Sequence, residues 1–345
     1  MSEKSNARDF LRSCLAMAAL MLSAPETVAQ DNGSANDVGT AVGTTTEMLG
    51  LRAEDTLGDL LDYPSLAGFA EHTLPWHGRD YDRGLPLDRL GSLLPYHSAV
   101  DTGSVLAGLN LLIENAERGV PVFHEIYSDE EKNESPDLSK TGLFFFPGQE
   151  GKPFALIAAG GGFSYVGSVH EGFPYAAAIN ALGYNAFVVV YRTGQGGRAA
   201  TEDMARAVDT ILIHAEELGV ARDGYSVWGS SAGARMAAYI GSHGVASFGG
   251  GDHPIPAAVI MAYTEHSEVS GQEPPTFVVV GGRDNIALPA VMESRIENLR
   301  AAGTEVEYHL YQSLGHGFGL GVGTEAEGWI SDAVAFWEKQ LMSGE

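Results

Sequence analysis

Cysteine is almost missing from the 345-residue chain: Cys14 stands alone, so no disulfide can form within the molecule. Basic residues are also scarce. Lys and Arg total 20 against 45 Asp and Glu, a formal net charge of −25. A surface that acidic repels phosphate backbones and anionic lipid headgroups, which excludes nucleic acid as a partner and argues against a stable membrane anchor. No apolar run approaches the roughly 20 residues that a bilayer-spanning helix needs. Internal repeats are absent, as are the lysine-bearing phosphate loop, the G-x-G-x-x-G spacing of dinucleotide sites and the H-E-x-x-H pattern of zinc enzymes. What remains is an ordinary globular composition, 44% hydrophobic, enough for a sizeable core.

Lys4, Arg8 and Arg12 precede the apolar run Cys14–Leu22, and Thr27-Val28-Ala29 follows as a small-residue cleavage site. This basic, apolar, small order predicts a signal peptide over residues 1–29 and a secreted or periplasmic protein, with the plain N-terminus of a cytoplasmic protein as the alternative. Cys14 opens the run instead of closing it, unlike a lipoprotein anchor. Residues 30–50 are polar, rich in Gly, Ala and Thr, and read as a flexible linker.

Residues 51–120 carry one short helix within Asp55–Phe69, an aromatic and turn-rich stretch, and a helix over Val105–Arg118 with Leu106, Leu109, Leu112 and Ile113 on one face. They are expected to form an N-terminal extension or cap. His72, His77 and His97 with Asp80 and Asp82 match no metal-ligand spacing and read as surface or core residues; no metal is implied. Val122–Tyr127 reads as a strand and Ser128–Lys140 as a charged loop.

From Gly142 onward short apolar strands alternate with amphipathic helices. The strands are Gly142–Phe146, Phe154–Ala159, Ala186–Tyr191, the stretch around Tyr225–Trp228, Ala257–Met261, Thr276–Val280 and Glu305–Tyr311. The helices cover about 172–182, 201–218, 232 onward, 289–301 and 325–341. Strands that are apolar throughout and separated by helices predict an α/β domain over residues 121–345: a mostly parallel central sheet with helices on both faces. Ligands of such sheets bind at the carboxyl ends of the strands.

Four features fall at those ends. Gly229-Ser230-Ser231-Ala232-Gly233 is a G-x-S-x-G turn between a strand and a helix, which lifts Ser231 out of the sheet beside a helix N-terminus. Ser230 is not the central serine, because Trp228 and Ala232 would then occupy the glycine positions. Asp284 follows the strand ending at Val280, and His316 follows the one ending at Tyr311. In acyl transfer His316 would take the serine proton and return it to the leaving group, while Asp284 would hold the imidazole in the required tautomer. The run Gly160-Gly161-Gly162-Phe163 follows a fourth strand. Its Gly161 and Gly162 N–H groups, with that of Ala232, form the candidate oxyanion hole, each donor worth on the order of 3 kcal/mol of barrier.

On these motifs the chain resembles the α/β-hydrolase family over about Val122–Leu341. The Gly-Gly-Gly-Phe segment and Gly-x-Ser-Ala-Gly elbow look like its acetyl-esterase and feruloyl-esterase-like branch, which includes carbohydrate esterases. The resemblance implies a serine carboxylic-ester hydrolase for short, acetyl-like acyl groups on a small-molecule or carbohydrate ester, working without a cofactor. It places Phe163 and Tyr165 beside the oxyanion hole, in reach of the acyl group or alcohol. Ala159 departs from the related lipase pattern, which carries a bracing histidine there. Two other readings stand beside this one: a prolyl-oligopeptidase-like peptidase, for which about 140 upstream residues without repeats are too few to build a propeller, and a binding protein on a hydrolase fold.

Overall fold

The computed structural model describes residues 50–343, so the signal-peptide reading and nearly all of the linker lie outside the described residues. Helices are α1 (Leu57–Leu61), α2 (Thr102–Glu117), α3 (Asp129–Glu134), α4 (Phe173–Ala181), α5 (Gly196–Ile213), α6 (Ala232–His243), α7 (Pro289–Ala301) and α8 (Trp329–Ser343). Strands are β1 (Phe123–His124), β2 (Gly142–Phe146), β3 (Phe154–Ala158), β4 (Asn185–Val190), β5 (Ser226–Ser230), β6 (Ala258–Ala262), β7 (Thr276–Gly281) and β8 (Val306–Tyr311).

The strands form one sheet in the order β1-β2-β4-β3-β5-β6-β7-β8. The β2 strand runs antiparallel to both of its neighbours; β4, β3, β5, β6, β7 and β8 are mutually parallel. Every residue of β2 through β7 is buried, which is why these strands read as continuous apolar runs and not as alternating ones. From β3 the chain moves one way to β4 and then back across to β5. Right-handed crossovers therefore put α4 on one face and α5 on the other. Accordingly α4 packs with α2 and α8, and α5 packs with α6. The reversal lies between β3 and β5, and the carboxyl ends of those two strands are where a ligand crevice forms in an open parallel sheet.

Residues 51–120 put their apolar side chains into the same core. Leu57, Leu60, Leu66, Leu87, Leu90 and Leu109 are buried in one cluster with the sheet strands. On α2 the buried place expected for Leu106 goes to Val105, and Leu106 is half-buried. Phe144 of β2 joins the two parts: its ring meets Phe69, Phe123 and Phe173 with centroids 6.1, 5.0 and 4.9 Å apart.

Three local expectations change. The stretch 128–140 is not a loop: Ser128 and Glu131 form a reciprocal capping box that starts α3, and a 3-10 turn follows over Pro136–Lys140. The strand expected over Val122–Tyr127 shrinks to Phe123–His124, held only at the sheet edge by β2. The helix expected over 201–218 starts earlier, at Gly196, and stops at Ile213, where a run of turns leads to Gly219. Among the described residues no helix is long and apolar enough to cross a membrane.

Truncating the wholly buried Phe144 removes its ring contacts with Phe69 of the N-terminal part, Phe123 of β1 and Phe173 of α4. Phe144→Ala is expected to cost about 3–5 kcal/mol, read from the urea midpoint at unchanged m-value; a cost below about 1 kcal/mol would show that the two parts do not depend on this ring.

Candidate active site

The β5 strand ends at Ser230, α6 begins at Ala232, and Ser231 between them has φ 50° and ψ −113°. A non-glycine residue seldom takes this conformation, and its cost is met by surrounding packing. That packing is backbone on backbone. A Cβ on Gly229 would collide with the Gly233 carbonyl, and one on Gly233 would collide with the carbonyl oxygen of Ala158 in β3. The two outer glycines of the motif thus let α6 lie directly on the sheet. The Ser231 N–H is fixed by the Ala262 carbonyl of β6 at 2.8 Å.

The structure brings Ser231, His316 and Asp284 together. Nε2 of His316 lies 2.9 Å from the Ser231 hydroxyl oxygen, and Nδ1 lies 2.7 Å from Asp284 Oδ2. A carboxylate only accepts, so Nδ1 carries the proton and Nε2 is left as the acceptor facing the serine. The other carboxylate oxygen of Asp284 accepts from the Ile286 and Ala287 N–H groups, each at 2.8 Å. Asp284 is 3% exposed and His316 8%. The His316 loop is held from outside. Ser98 Oγ donates to the His316 carbonyl at 2.6 Å, and the Ser98 N–H donates to Gly317 O at 2.9 Å.

The glycine run after β3 lies against this elbow: a Cβ on Gly160 would sit 3.0 Å from the Ser231 Cβ. Gly161 has φ +136° and Gly162 φ +62°. The N–H groups of Gly161 and Gly162 have no hydrogen-bond partner among the described residues. Ala232 opens α6, so its N–H is among those a helix leaves unpaired. These three donors, near Ser231 and at the positive end of α6, are placed as candidates to receive a developing oxyanion.

The loop's support, which Ala159 left unaccounted for in the sequence, comes from residues that sequence reasoning missed. Glu171 lies in a single π-helical turn, Ser168–Gly172, and its side chain is wholly buried. Its Oε2 accepts the Gly160 N–H at 2.6 Å, and its Oε1 accepts the Tyr263 hydroxyl at 2.6 Å and faces His97 Nε2 at 3.0 Å. Burial pushes the Glu171 carboxyl up, but the attraction of His97 and the hydrogen bonds to the charged form outweigh it and hold the group at about 2. Tyr191 adds a second support by donating to the Ala159 carbonyl at 2.7 Å. Next to Glu171, burial foremost and then the nearby His97 bring His170 down to about 4, and the neutral ring's Nε2 donates to Gly317 O at 3.0 Å. The available signal was a lone carboxylate inside the apolar stretch Val166–Tyr175.

Tyr165 requires a correction. It was expected to touch substrate, yet it is wholly buried. Its ring packs against Trp76 and Tyr96, and its hydroxyl bonds His97 Nδ1 at 2.8 Å and accepts the Tyr96 N–H at 3.2 Å. It supports the loop from below. Phe163 (φ 57°) is half-buried and stays at the surface of the loop. The histidines and acids at 72–97 do not converge: His72 faces His77 with ring centroids 6.0 Å apart, Asp82 accepts the Gly84 N–H, and His97 serves Glu171. Among the described residues no group of three His, Cys, Asp or Glu side chains is placed to hold a metal ion.

With sheet, elbow and strand-end residues in place, the chain has the α/β-hydrolase fold. Solved structures of similar fold include an acetyl ester-xyloside bifunctional hydrolase from Caldicellulosiruptor lactoaceticus, with TM-score 0.56 and 19% identity, covering 63% of this chain and 95% of that one. An alpha/beta hydrolase enzyme from a Medee basin deep-sea metagenome library aligns with TM-score 0.52 and 24% identity, covering 58% and 93%. A carboxylesterase from Lactobacillus plantarum WCFS1 aligns with TM-score 0.52 and 19% identity, covering 58% and 92%. No protein-family model and no curated protein matches the sequence.

Because the folded Glu171 carboxyl lies below its ordinary 4.5, the stability it contributes is fully present above pH 4.5 and is lost as pH falls toward about 2. Glu171→Gln is expected to cost roughly 3 kcal/mol at pH 7, as for a buried pair that loses one charge. The gap between wild type and variant, followed by thermal unfolding, should close as pH is lowered through that window; a gap constant with pH would contradict the ionised Glu171.

Proposed function

We propose that this protein is a serine carboxylic-ester hydrolase that works through Ser231, His316 and Asp284 and a covalent acyl-enzyme. The observation that carries the reading is the continuous chain of contacts at 2.9 and 2.7 Å from the Ser231 hydroxyl through His316 to Asp284. Ser231 Oγ attacks the ester carbonyl as its proton passes to His316 Nε2. The tetrahedral oxyanion is received by the N–H groups of Gly161, Gly162 and Ala232. His316 then gives its proton to the departing alkoxide, and the alcohol leaves. Water repeats the sequence on the acyl-serine, releasing the acid and restoring the serine. Asp284 stays ionised throughout and stabilises the imidazolium. No metal or organic cofactor is used in these steps.

The acyl half is short, acetyl-like, and the alcohol half is a small molecule or carbohydrate. This finer reading draws on the Gly-Gly-Gly-Phe and Gly-x-Ser-Ala-Gly motifs and on the acetyl ester-xyloside hydrolase among the structures of similar fold. The basic-apolar-small order of residues 1–29 supports a secreted or periplasmic location. The large acidic excess favours small ester substrates over nucleic acid.

Ser231→Ala is expected to lower kcat on 4-nitrophenyl acetate by at least about 10⁴-fold, and Asp284→Asn by about 10⁴-fold, both with near-wild-type thermal unfolding. Ser231→Ala turning over at the wild-type rate would refute the assignment.

A further inference from the structure

A cleft of about 640 Å³ opens between Phe163 of the glycine loop and helices α5 and α6. It runs from Phe163 at the tip of the glycine loop, past the first turn of α5, to the outer side of α6. Its size suits a monosaccharide or a substituted aromatic ring. Phe163, Tyr239 and Phe248 supply apolar walls, and the polar lining includes Arg198, Arg235 and His243.

Arg235 lies one helical turn beyond the nucleophile, its N–H meeting the Ser231 carbonyl at 3.4 Å. Residues four apart share a helix face, so Arg235 sits on the Ser231 side of α6. It is exposed, and its guanidinium has no hydrogen-bond or ion-pair partner among the described residues. The other two basic side chains are engaged at one nitrogen each. Glu202 takes the Arg198 Nε–H at 3.1 Å, leaving its two terminal nitrogens, and Glu268 holds His243 Nε2 at 2.9 Å. Arg198 also lies over the Phe248 ring at 6.0 Å. Behind the wall, His266 packs on Tyr239 at 4.9 Å, and burial followed by the fields of Arg295 and Arg235 keeps it at about 3. Two arginines thus line one cleft in a chain where acids outnumber bases 45 to 20. With that many carboxylates at hand, an arginine left unpaired beside the nucleophile is available to a ligand.

We propose that this cleft recognises a carboxylate carried by the ester substrate, such as that of a sugar acid or an aromatic acid, with Arg235 as the principal ligand and Arg198 assisting. This rests on the ester-hydrolase reading above and narrows its substrate class. A guanidinium presents a planar fork that fits a carboxylate through two parallel hydrogen bonds. The aromatic walls take the ring that bears the charge, while the ester carbonyl reaches Ser231. The acidic surface around it repels anions, so binding one calls for a local arginine pair such as this.

The test compares anionic and neutral esters in pairs. 4-Acetoxybenzoate against phenyl acetate places the charge on the alcohol half; mono-4-nitrophenyl glutarate against 4-nitrophenyl butyrate places it on the acyl half. For at least one pair the anionic-to-neutral ratio of kcat/KM should fall ten-fold or more in Arg235→Gln, mainly through KM. Arg235→Lys should keep part of it, and the exposed, remote Arg222→Gln should leave it unmoved. Titration calorimetry supplies a readout that needs no turnover: glucuronate should bind the wild type better than glucose, and Arg235→Gln should lose that difference. Ratios indifferent to Arg235 in both pairs, with no Arg235-dependent glucuronate binding, would overturn the proposal even if neutral esters are hydrolysed. Arg235-dependent glucuronate binding by a protein that hydrolyses no ester would uphold the site and defeat the esterase reading.

Discussion

Everything at the site depends on backbone touching backbone beneath Ser231. Gly233 lets the first turn of α6 rest on the Ala158 carbonyl of β3, and Gly229 lets the end of β5 pass under the same turn. That contact holds Ser231 in a backbone conformation it would not adopt alone. It also sets the glycine run after β3 beside Ser231, because β3 and β5 are paired neighbours whose carboxyl ends face the same crevice. Hydroxyl, helix N-terminus and candidate oxyanion donors therefore share one origin, the close seating of a helix on two strands.

The second organising element is a single buried charge. Glu171 joins three parts of the chain that are distant in sequence: Gly160 of the glycine run after β3, Tyr263 at the end of β6, and His97 from the N-terminal part. A buried carboxylate is costly unless each oxygen is satisfied, and here both are. Residues 94–98 are thereby drawn to the site, where Ser98 also holds the backbone of the His316 loop. The N-terminal part is thus a support of the loops that carry Glu171 and His316, as well as part of the common core.

The legible and illegible parts of this molecule differ for a physical reason. Ser231, Asp284 and His316 could be read as candidates because each follows an apolar strand, and strand ends in a parallel sheet are where ligands bind. The buried strands were legible because burial on both faces leaves no polar position in them. Glu171 and His97 were not, since their pairing is made over 74 residues by packing alone and neither sits in a local motif. Tyr165 was misplaced because proximity along the chain to a glycine loop says nothing about which side of the loop a ring takes. Helix α3 was missed although its signal was present, in the Ser128 and Glu131 spacing of a capping box; a dense run of charge masked it.

The central claim is that Ser231 is a nucleophile activated by His316. Its most direct measurement is covalent trapping with diethyl 4-nitrophenyl phosphate, followed by peptide mass spectrometry. The account predicts one diethylphosphoryl group per chain, located on Ser231, with the labelling rate collapsing in His316→Ala. Modification at another residue, or no modification of a folded protein that still hydrolyses esters, would contradict it.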